Sequence, residues 1–421
     1  MSKRLLKLIS LSILFISCLT SSAQTLRNKL SKIPGITFEQ KTNNNFQEYY
    51  ELTITQPVDH TTSTFNKFPQ RIYIGFKNFN APVVMETDGY AIDYASKPEY
   101  TNELSKEFKA NLIIVEHRFF GKSLPDKLNW NFLTAEQAAK DYHQIKKLLD
   151  TILTGKWIST GISKGGQAAL AYKLHYPNDV SATVVYGAAV KNKQTVMTDS
   201  ILKVLSKTNC GKRISELQLF AFKNKSKLLP IFNDYITLKK FDFAPLDYET
   251  VFDYLLLELP FSFWQNGTKC EKICDTSASS ITMVDYIINI VLLRFYSAAM
   301  RKQLELSFYM FYHEFGYYEY NTAPFKQWLK QENYSNKFFA PSDIQIQFDN
   351  GYQKLLGDFM KSSAAKTVFF IYGEFDPWAL QTVSSENKFI VSNGSHKSRI
   401  TDLPNEQRTI LYDKLNSILK K

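Results

Sequence analysis

Residues 157–166 read WISTGISKGG, and no other stretch of the chain narrows its fold so far. WIST has the aromatic and β-branched character of a strand. It runs into Gly161-Ile162-Ser163-Lys164-Gly165, then a second glycine, then the helical run QAALAYKLHY. A strand, a glycine-flanked turn and a helix in direct succession put one serine at the apex of a very sharp bend. The residues two before and two after that serine crowd each other, so only small side chains fit. The pattern G-x-S-x-G occurs by chance in many chains. Its setting between strand and helix makes Ser163 a candidate nucleophile, and the rest of the chain must then supply what a serine nucleophile needs.

Strand and helix signals alternate on both sides of this turn. Residues 47–60 and 66–78 read as strands, the second containing RIYIGF, and form an antiparallel beginning to a sheet. PVVME at 82–86 is a short buried strand that opens into the turn Thr87-Asp88-Gly89-Tyr90. NLIIVE at 111–116 is the next strand, followed by HRFFGKSLP. Residues 134–153 form an amphipathic helix, with Thr134 as its cap and Ala138, Tyr142, Ile145 and Leu149 on one stripe. ATVVY at 182–186 is again a buried strand. Such alternation from residue 82 to 190 predicts an α/β class with a parallel sheet. The pattern then breaks. Residues 195–337 carry long apolar-periodic segments with few strand signals, and much of the aromatic excess (32 Phe and 24 Tyr in all) collects there, as in FYMFYHEFGYYEY at 308–320. Helix packing is the expected use of those rings. Strand signals return in TVFFIY at 367–372 and KFIV at 388–391, and a helix at 405–419 closes the chain. At 421 residues the chain exceeds the ~100–200 of one domain. The expected organisation is a core at 24–190 and 341–421 with a helical cap inserted at 191–340.

Residues 1–23 combine Lys3, Arg4 and Lys7 with an apolar run at 8–19 and small residues ending at Ala23. They read as a cleavable signal peptide, giving a secreted or periplasmic protein. Lipid attachment at Cys18 is the competing reading. The run is too short to span a membrane, and NIVLLRF further on is interrupted, so no stable membrane insertion is expected. The net charge of +11 is scattered, without a basic block or nucleic-acid motif, which argues against DNA or RNA as a partner. Cys210, Cys270 and Cys274 follow the leader, and in an oxidising compartment Cys210 is expected to bridge to Cys270 or Cys274. No histidine cluster joins Cys270 and Cys274 in a metal-ligand pattern, so neither metal nor cofactor is expected.

Function in open α/β sheets sits at the carboxyl ends of the strands. Ser163, Asp376 and His396 fall at three such ends, in the chain order of α/β-hydrolases. A serine hydroxyl needs a base to take its proton, and the base needs a carboxylate to hold its tautomer and stabilise its cation. Glu374 is the alternative acid, but Asp376, just before Pro377, ends the turn. Among the remaining histidines, His143 and His175 belong to helices, His60 to the N-terminal loop and His313 to the insertion. His117 stands between Glu116 and Arg118, which read as a structural ion pair. The tetrahedral intermediate requires two hydrogen-bond donors. The backbone N–H of Lys164 is one candidate, and that of Gly89 or Tyr90 the other.

The stretches QPVDH (56–60), FPQR (68–71), ETDGY (86–90), EHRFFGKSLP (116–125), LTAEQAAKDYH (133–143), KWISTGISKGG (156–166) and YGEFDPW (372–378) resemble the secreted bacterial tripeptidyl aminopeptidase family. They are more distantly similar to lysosomal prolyl carboxypeptidase and dipeptidyl peptidase. The resemblance spans nearly the whole chain after the leader. It implies an α/β-hydrolase core with a helical cap, and a serine exopeptidase acting on the amino ends of peptide substrates. It carries the nucleophile to Ser163, the acid to Asp376 and the base to His396. HEFGYY at 313–318 resembles a T-E-x-G-aromatic stretch of those relatives, with His313 in place of threonine, and makes Glu314 a candidate partner for the substrate's free ammonium group. The same fold hosts esterases and lipases, so an esterase with the same three residues is the alternative. A third reading, a scaffold that only binds, is at odds with the intact Ser, Asp and His.

Overall fold

The structure is a computed structural model that describes residues 25–62, 66–190, 195–381 and 385–420. Its strands are β1 Ile36–Gln40, β2 Glu48–Pro57, β3 Lys67–Phe76, β4 Val83–Thr87, β5 Asn111–Val115, β6 Trp157–Ile162, β7 Ala182–Tyr186, β8 Thr195–Met197, β9 Tyr317–Glu319, β10 Val368–Gly373 and β11 Lys388–Val391. The longer helices are α1 Ala135–Leu149, α2 Lys164–His175, α3 Asn209–Lys223, α4 Lys225–Lys239, α5 Tyr248–Gln265, α6 Ser280–Val291, α7 Ala298–Met310, α8 Asn350–Phe359 and α9 Asn405–Lys420. The candidate leader, with Cys18, lies outside the described residues. No helix among the described residues is long and apolar enough to cross a membrane.

Nine strands form one sheet in the order β1-β2-β3-β5-β4-β6-β7-β10-β11. Neighbours are antiparallel from β1 through β3 to β5 and parallel from there on. β4 and β5 exchange places relative to chain order, which sets β4 against β6. The parallel register keeps the carboxyl ends level. Ile162 stands opposite Tyr186, Tyr186 opposite Ile371, and Gly373 opposite Val391. Every residue of β4, β5, β7 and β10 is buried, because helices cover both faces of the parallel part, and their sequences are near-continuous apolar runs for that reason.

On one face, Ala138, Tyr142, Ile145 and Leu149 of α1 pack with Ala168 and Tyr172 of α2 against Met85 and Val115. Thr134 caps α1 by accepting the Gln137 N–H at 3.2 Å. On the other face, Leu411 and Leu415 of α9 pack against Ile114, Val184 and Phe369. Helices α3 to α7 all lie between β7 and β10. They share one hydrophobic cluster with Val185 and Tyr372 of the sheet and Ala188 just after β7, so they are packed onto its carboxyl-end side. Two short strands missing from the sequence reading, β8 and β9, pair in parallel and tie the two ends of this helical segment together. β1, at the sheet edge, is also unanticipated.

Pro260 inside α5 removes the N–H that would bond the Leu256 carbonyl. Gln218 of α3 donates its side-chain amide to that carbonyl at 2.8 Å, so the helix continues through the proline. Two sequence expectations are corrected. Arg118 does not pair with Glu116; it grips Asp141 of α1 with two bonds of 2.7 and 2.8 Å. Glu116 instead takes Arg71, together with Ser123 at 2.7 Å and the backbone N–H groups of Ile92 and Lys122. All three described cysteines are thiols. Of the two partners expected for Cys210, Cys270 is the one it hydrogen-bonds with, and burial and that neighbour push Cys210 up to about 12.

Candidate active site

Ser163 leaves β6 with φ 55° and ψ −121°, a backbone conformation that is strained for any residue with a Cβ. Steric facts around it explain the flanking glycines. A methyl on Gly161 would stand 2.2 Å from the Gly165 carbonyl oxygen, and one on Gly165 2.5 Å from the Thr87 carbonyl oxygen. The Thr87 hydroxyl stitches the bend from β4, reaching the carbonyls of Thr160 at 3.1 Å and Gly165 at 3.0 Å. The Ser163 N–H donates to the Tyr186 carbonyl at 2.8 Å, which fixes the bend to the end of β7.

Asp376 and His396 arrive from β10 and β11. Their turns are joined by the Phe375 N–H, which donates to the Gly394 carbonyl at 2.8 Å. His396 Nδ1 lies 3.0 Å from Asp376 Oδ2. Since the carboxylate accepts, Nδ1 carries the proton and Nε2 is left as the basic nitrogen. Asp376 is fully buried, and its second oxygen accepts the Trp378 N–H at 3.0 Å. Gly187, directly after β7 with φ +56°, stands against this pair. A methyl there would be 2.8 Å from His396 Nδ1 and 3.3 Å from Asp376 Oδ2. Ser163 is bonded to the residue before Gly187, so β6, β7, β10 and β11 bring all three side chains to one corner of the sheet. Glu374 is exposed and accepts the Asn393 N–H at 2.9 Å, away from the histidine. The other histidines lie elsewhere: His60 is bonded to Asp141 and His143 to Asp179, each at 2.7 Å, His313 to the Gln347 carbonyl at 2.8 Å, and His175 ends α2 with its Nε2 buried and unbonded. His117 is buried, and that burial, with Lys164 nearby, holds it well below the usual histidine range.

Lys164, the first residue of α2, is buried, and its ammonium donates to the Gly89 carbonyl at 2.7 Å. It lies over the Phe120 ring at 4.6 Å and the Tyr90 ring at 5.5 Å. Burial lowers its pKa to about 7, with the charges of Asp88 and Glu314 working the other way. Gly89 crosses the start of α2 so closely that a methyl on it would meet Lys164 Cβ at 2.6 Å and the Gly165 nitrogen at 2.8 Å. Of the two loop donors considered, Tyr90 already gives its N–H to Asp88 Oδ1 at 2.7 Å.

A cavity of about 290 Å³ opens over the serine. The sheet side supplies Ser163, Lys164, Gly187 and Trp378; the helical segment supplies Glu258, Tyr296, Phe308, Tyr317, Tyr318 and Tyr320. The size sits at the low end of small-ligand sites. Glu314 is not among the lining residues. It is buried, and its carboxyl accepts the Ala135 N–H at 2.8 Å, so it caps α1 instead of facing the cavity. Burial pushes it up to about 8. The acidic residue in the cavity wall is Glu258, which the sequence reading missed. Its signal was a single carboxylate inside the apolar run LLLELPF. No group of three or more His, Cys, Asp or Glu that could hold a metal occurs among the described residues.

Sheet order, strained serine and helical segment together define an α/β-hydrolase. Residues 20–407 match the family model described as PS-10 peptidase S37. The prolyl tri/tetrapeptidyl aminopeptidase of Streptomyces mobaraensis is 25% identical over 93% of this chain and 84% of its own length. The lysosomal Pro-X carboxypeptidase of Homo sapiens is 30% identical over a shorter part, 34% of this chain and 32% of that one. The chain belongs to the PS-10 peptidase S37 family and is a serine peptidase.

Proposed function

We propose that the protein is an exported serine exopeptidase that releases short peptides, tripeptides foremost, from the amino ends of its substrates. The observation that carries this reading is the Asp376–His396 pair packed on Gly187, beside a strained Ser163, under a small aromatic cavity. His396 Nε2 takes the Ser163 hydroxyl proton as the oxygen attacks the scissile carbonyl carbon. Asp376 holds the ring's tautomer and stabilises the imidazolium. The tetrahedral oxyanion is met by the Lys164 N–H and by a donor from the loop after β4, for which Gly89 is favoured because the Tyr90 N–H is held by Asp88. As the C–N bond breaks, the histidine gives its proton to the leaving amine. Water then attacks the acyl-enzyme by the same route, freeing the short peptide and restoring the serine. The size of the cavity and the name of the Streptomyces mobaraensis relative both favour peptides of about this length. Export rests on the basic start and apolar run of residues 1–23.

Ser163→Ala is expected to lower kcat roughly a millionfold and to abolish labelling by a fluorophosphonate. The test is a panel of aminoacyl, dipeptidyl and tripeptidyl amides beside fatty-acyl esters, with mass spectrometry of products from longer peptides. The secreted enzyme used for it should begin at Gln24. Turnover of esters alone would remove the peptidase mechanism in favour of an esterase.

A further inference from the structure

Glu258 is 8% exposed and lines the cavity that holds Ser163. Its donors are all neutral. Ser262 reaches Oε1 at 3.1 Å, Tyr318 lies 3.0 Å from each oxygen, and Tyr320 reaches Oε2 at 2.8 Å. Tyr318 divides one proton between two carboxylate oxygens. Tyr320 divides its own between Glu258 and Asn336 Oδ1, 3.0 Å away. Glu258 has no ion-pair partner among the described residues. A carboxylate so placed is costly unless something brings it a positive charge, and burial accordingly raises its pKa to about 7. The cation's place is furnished with rings as well. Tyr296, Tyr317, Tyr318 and Tyr320 line the same cavity, and aromatic faces attract a desolvated ammonium group.

We infer that Glu258, with Tyr318 and Tyr320, is the receptor for the free α-ammonium group of the substrate. This inference rests on the peptidase reading above and deepens it: the amino end is held at Glu258, the scissile carbonyl lies at Ser163, and the gap between the two fixes how many residues are cut off. An extended chain advances ~3.3–3.6 Å per residue, so one end held by a buried charge allows only one register at the serine. Buried ion pairs of this kind bring both affinity and discrimination, since a blocked amine leaves the carboxylate without its cation. Glu314, spent on the start of α1, has no part in it.

The test uses the full chain carrying Ser163→Ala, so that binding is read without turnover. Calorimetry compares a tripeptide amide bearing a free amino end with the same peptide acetylated. Acetylation is expected to weaken binding about thirtyfold or more. In Ser163→Ala/Glu258→Gln the free-amine peptide should bind about as weakly as the acetylated one, and acetylation should cost nothing further. The acetylated peptide should bind Ser163→Ala/Glu258→Gln as it binds Ser163→Ala alone, which guards against a Glu258→Gln protein that folds poorly; melting curves accompany each variant. Equal binding of free and acetylated peptide, a penalty that survives Glu258→Gln, or no binding by either peptide would each overturn the assignment. Peptide-amide turnover by the unaltered enzyme is measured separately. If it is absent while amine-dependent binding persists, the peptidase reading fails and the receptor stands.

Discussion

Lys164 does two different things with its main chain and its side chain. As first residue of α2 it has no carbonyl one turn back to receive its N–H, while its ammonium holds the Gly89 carbonyl from below. The side chain therefore positions the loop after β4, from which we propose the second oxyanion donor comes. Lys164→Met should lower kcat about tenfold to a hundredfold with a much smaller change in KM, measured on a tripeptidyl amide. Buried carboxyls lead to a second expectation. Glu258 and Glu314 have folded pKa values of about 7 and about 8, against ~4.3 in an unfolded chain. The folded state binds their protons more tightly, so their contribution to stability is full below ~4.3 and is lost as pH rises through 7 and 8. Lys164, lowered to about 7, acts in the opposite sense only above that pH. Buried His117, held low, works against the glutamates below ~6.5, so the effect is read by difference: the melting temperature of Glu258→Gln relative to the unaltered protein should rise between pH 5 and pH 7. Glu258 was hard to read in advance because its role depends on which side of α5 meets the serine, and an apolar helix with one acid does not declare that. Ser163 was easy because the steric reason for its glycines is local.

At the scale of elements, the turns after β6, β7, β10 and β11 work as one unit. Gly187 is the contact point, with no room for a Cβ between the end of β7 and the His396–Asp376 pair. Gly187→Ala should push the imidazole aside and lower kcat about a hundredfold. Fluorophosphonate labelling should slow in step, and circular dichroism should be unchanged. Asp376 and His396 were legible as candidates because the strand signals in TVFFIY and KFIV end four and five residues before them. Elements that escaped notice are short or lie at an edge. β8 and β9 have three residues each, and β1, with ITFEQ, has no buried residue to carry a pattern. A proline inside a helix ordinarily breaks or kinks it, and at Pro260 the Gln218 amide, forty-two positions back in the chain, takes the carbonyl that the proline leaves without a donor. Likewise the partner of Arg118 could not be guessed from its neighbours, since ion pairs join residues by space and Asp141 belongs to a helix.

At the scale of the whole molecule, Arg118 and Asp141 are both completely buried and hold several parts together. Arg118 also donates to the carbonyls of Pro57, Val58 and Phe132, and Asp141 takes His60. Asp141→Asn leaves a buried guanidinium without its counter-charge, so a loss of about 3–5 kcal/mol is expected in urea unfolding. Catalytic constants of the fraction that remains folded should be nearly unaltered. The helical segment has a different consequence. It leaves the sheet after β7 and rejoins it at β10, and those two strands are immediate neighbours. Its wall residues, from Glu258 to Phe339, come from one unbroken length of chain, whereas Ser163, Asp376 and His396 come from the sheet. Every side chain of that wall can therefore be varied within one contiguous stretch of chain while the carboxyl ends of β6, β10 and β11, with Ser163, Asp376 and His396, stay as they are, provided the new wall still fits the hydrophobic cluster it shares with the sheet.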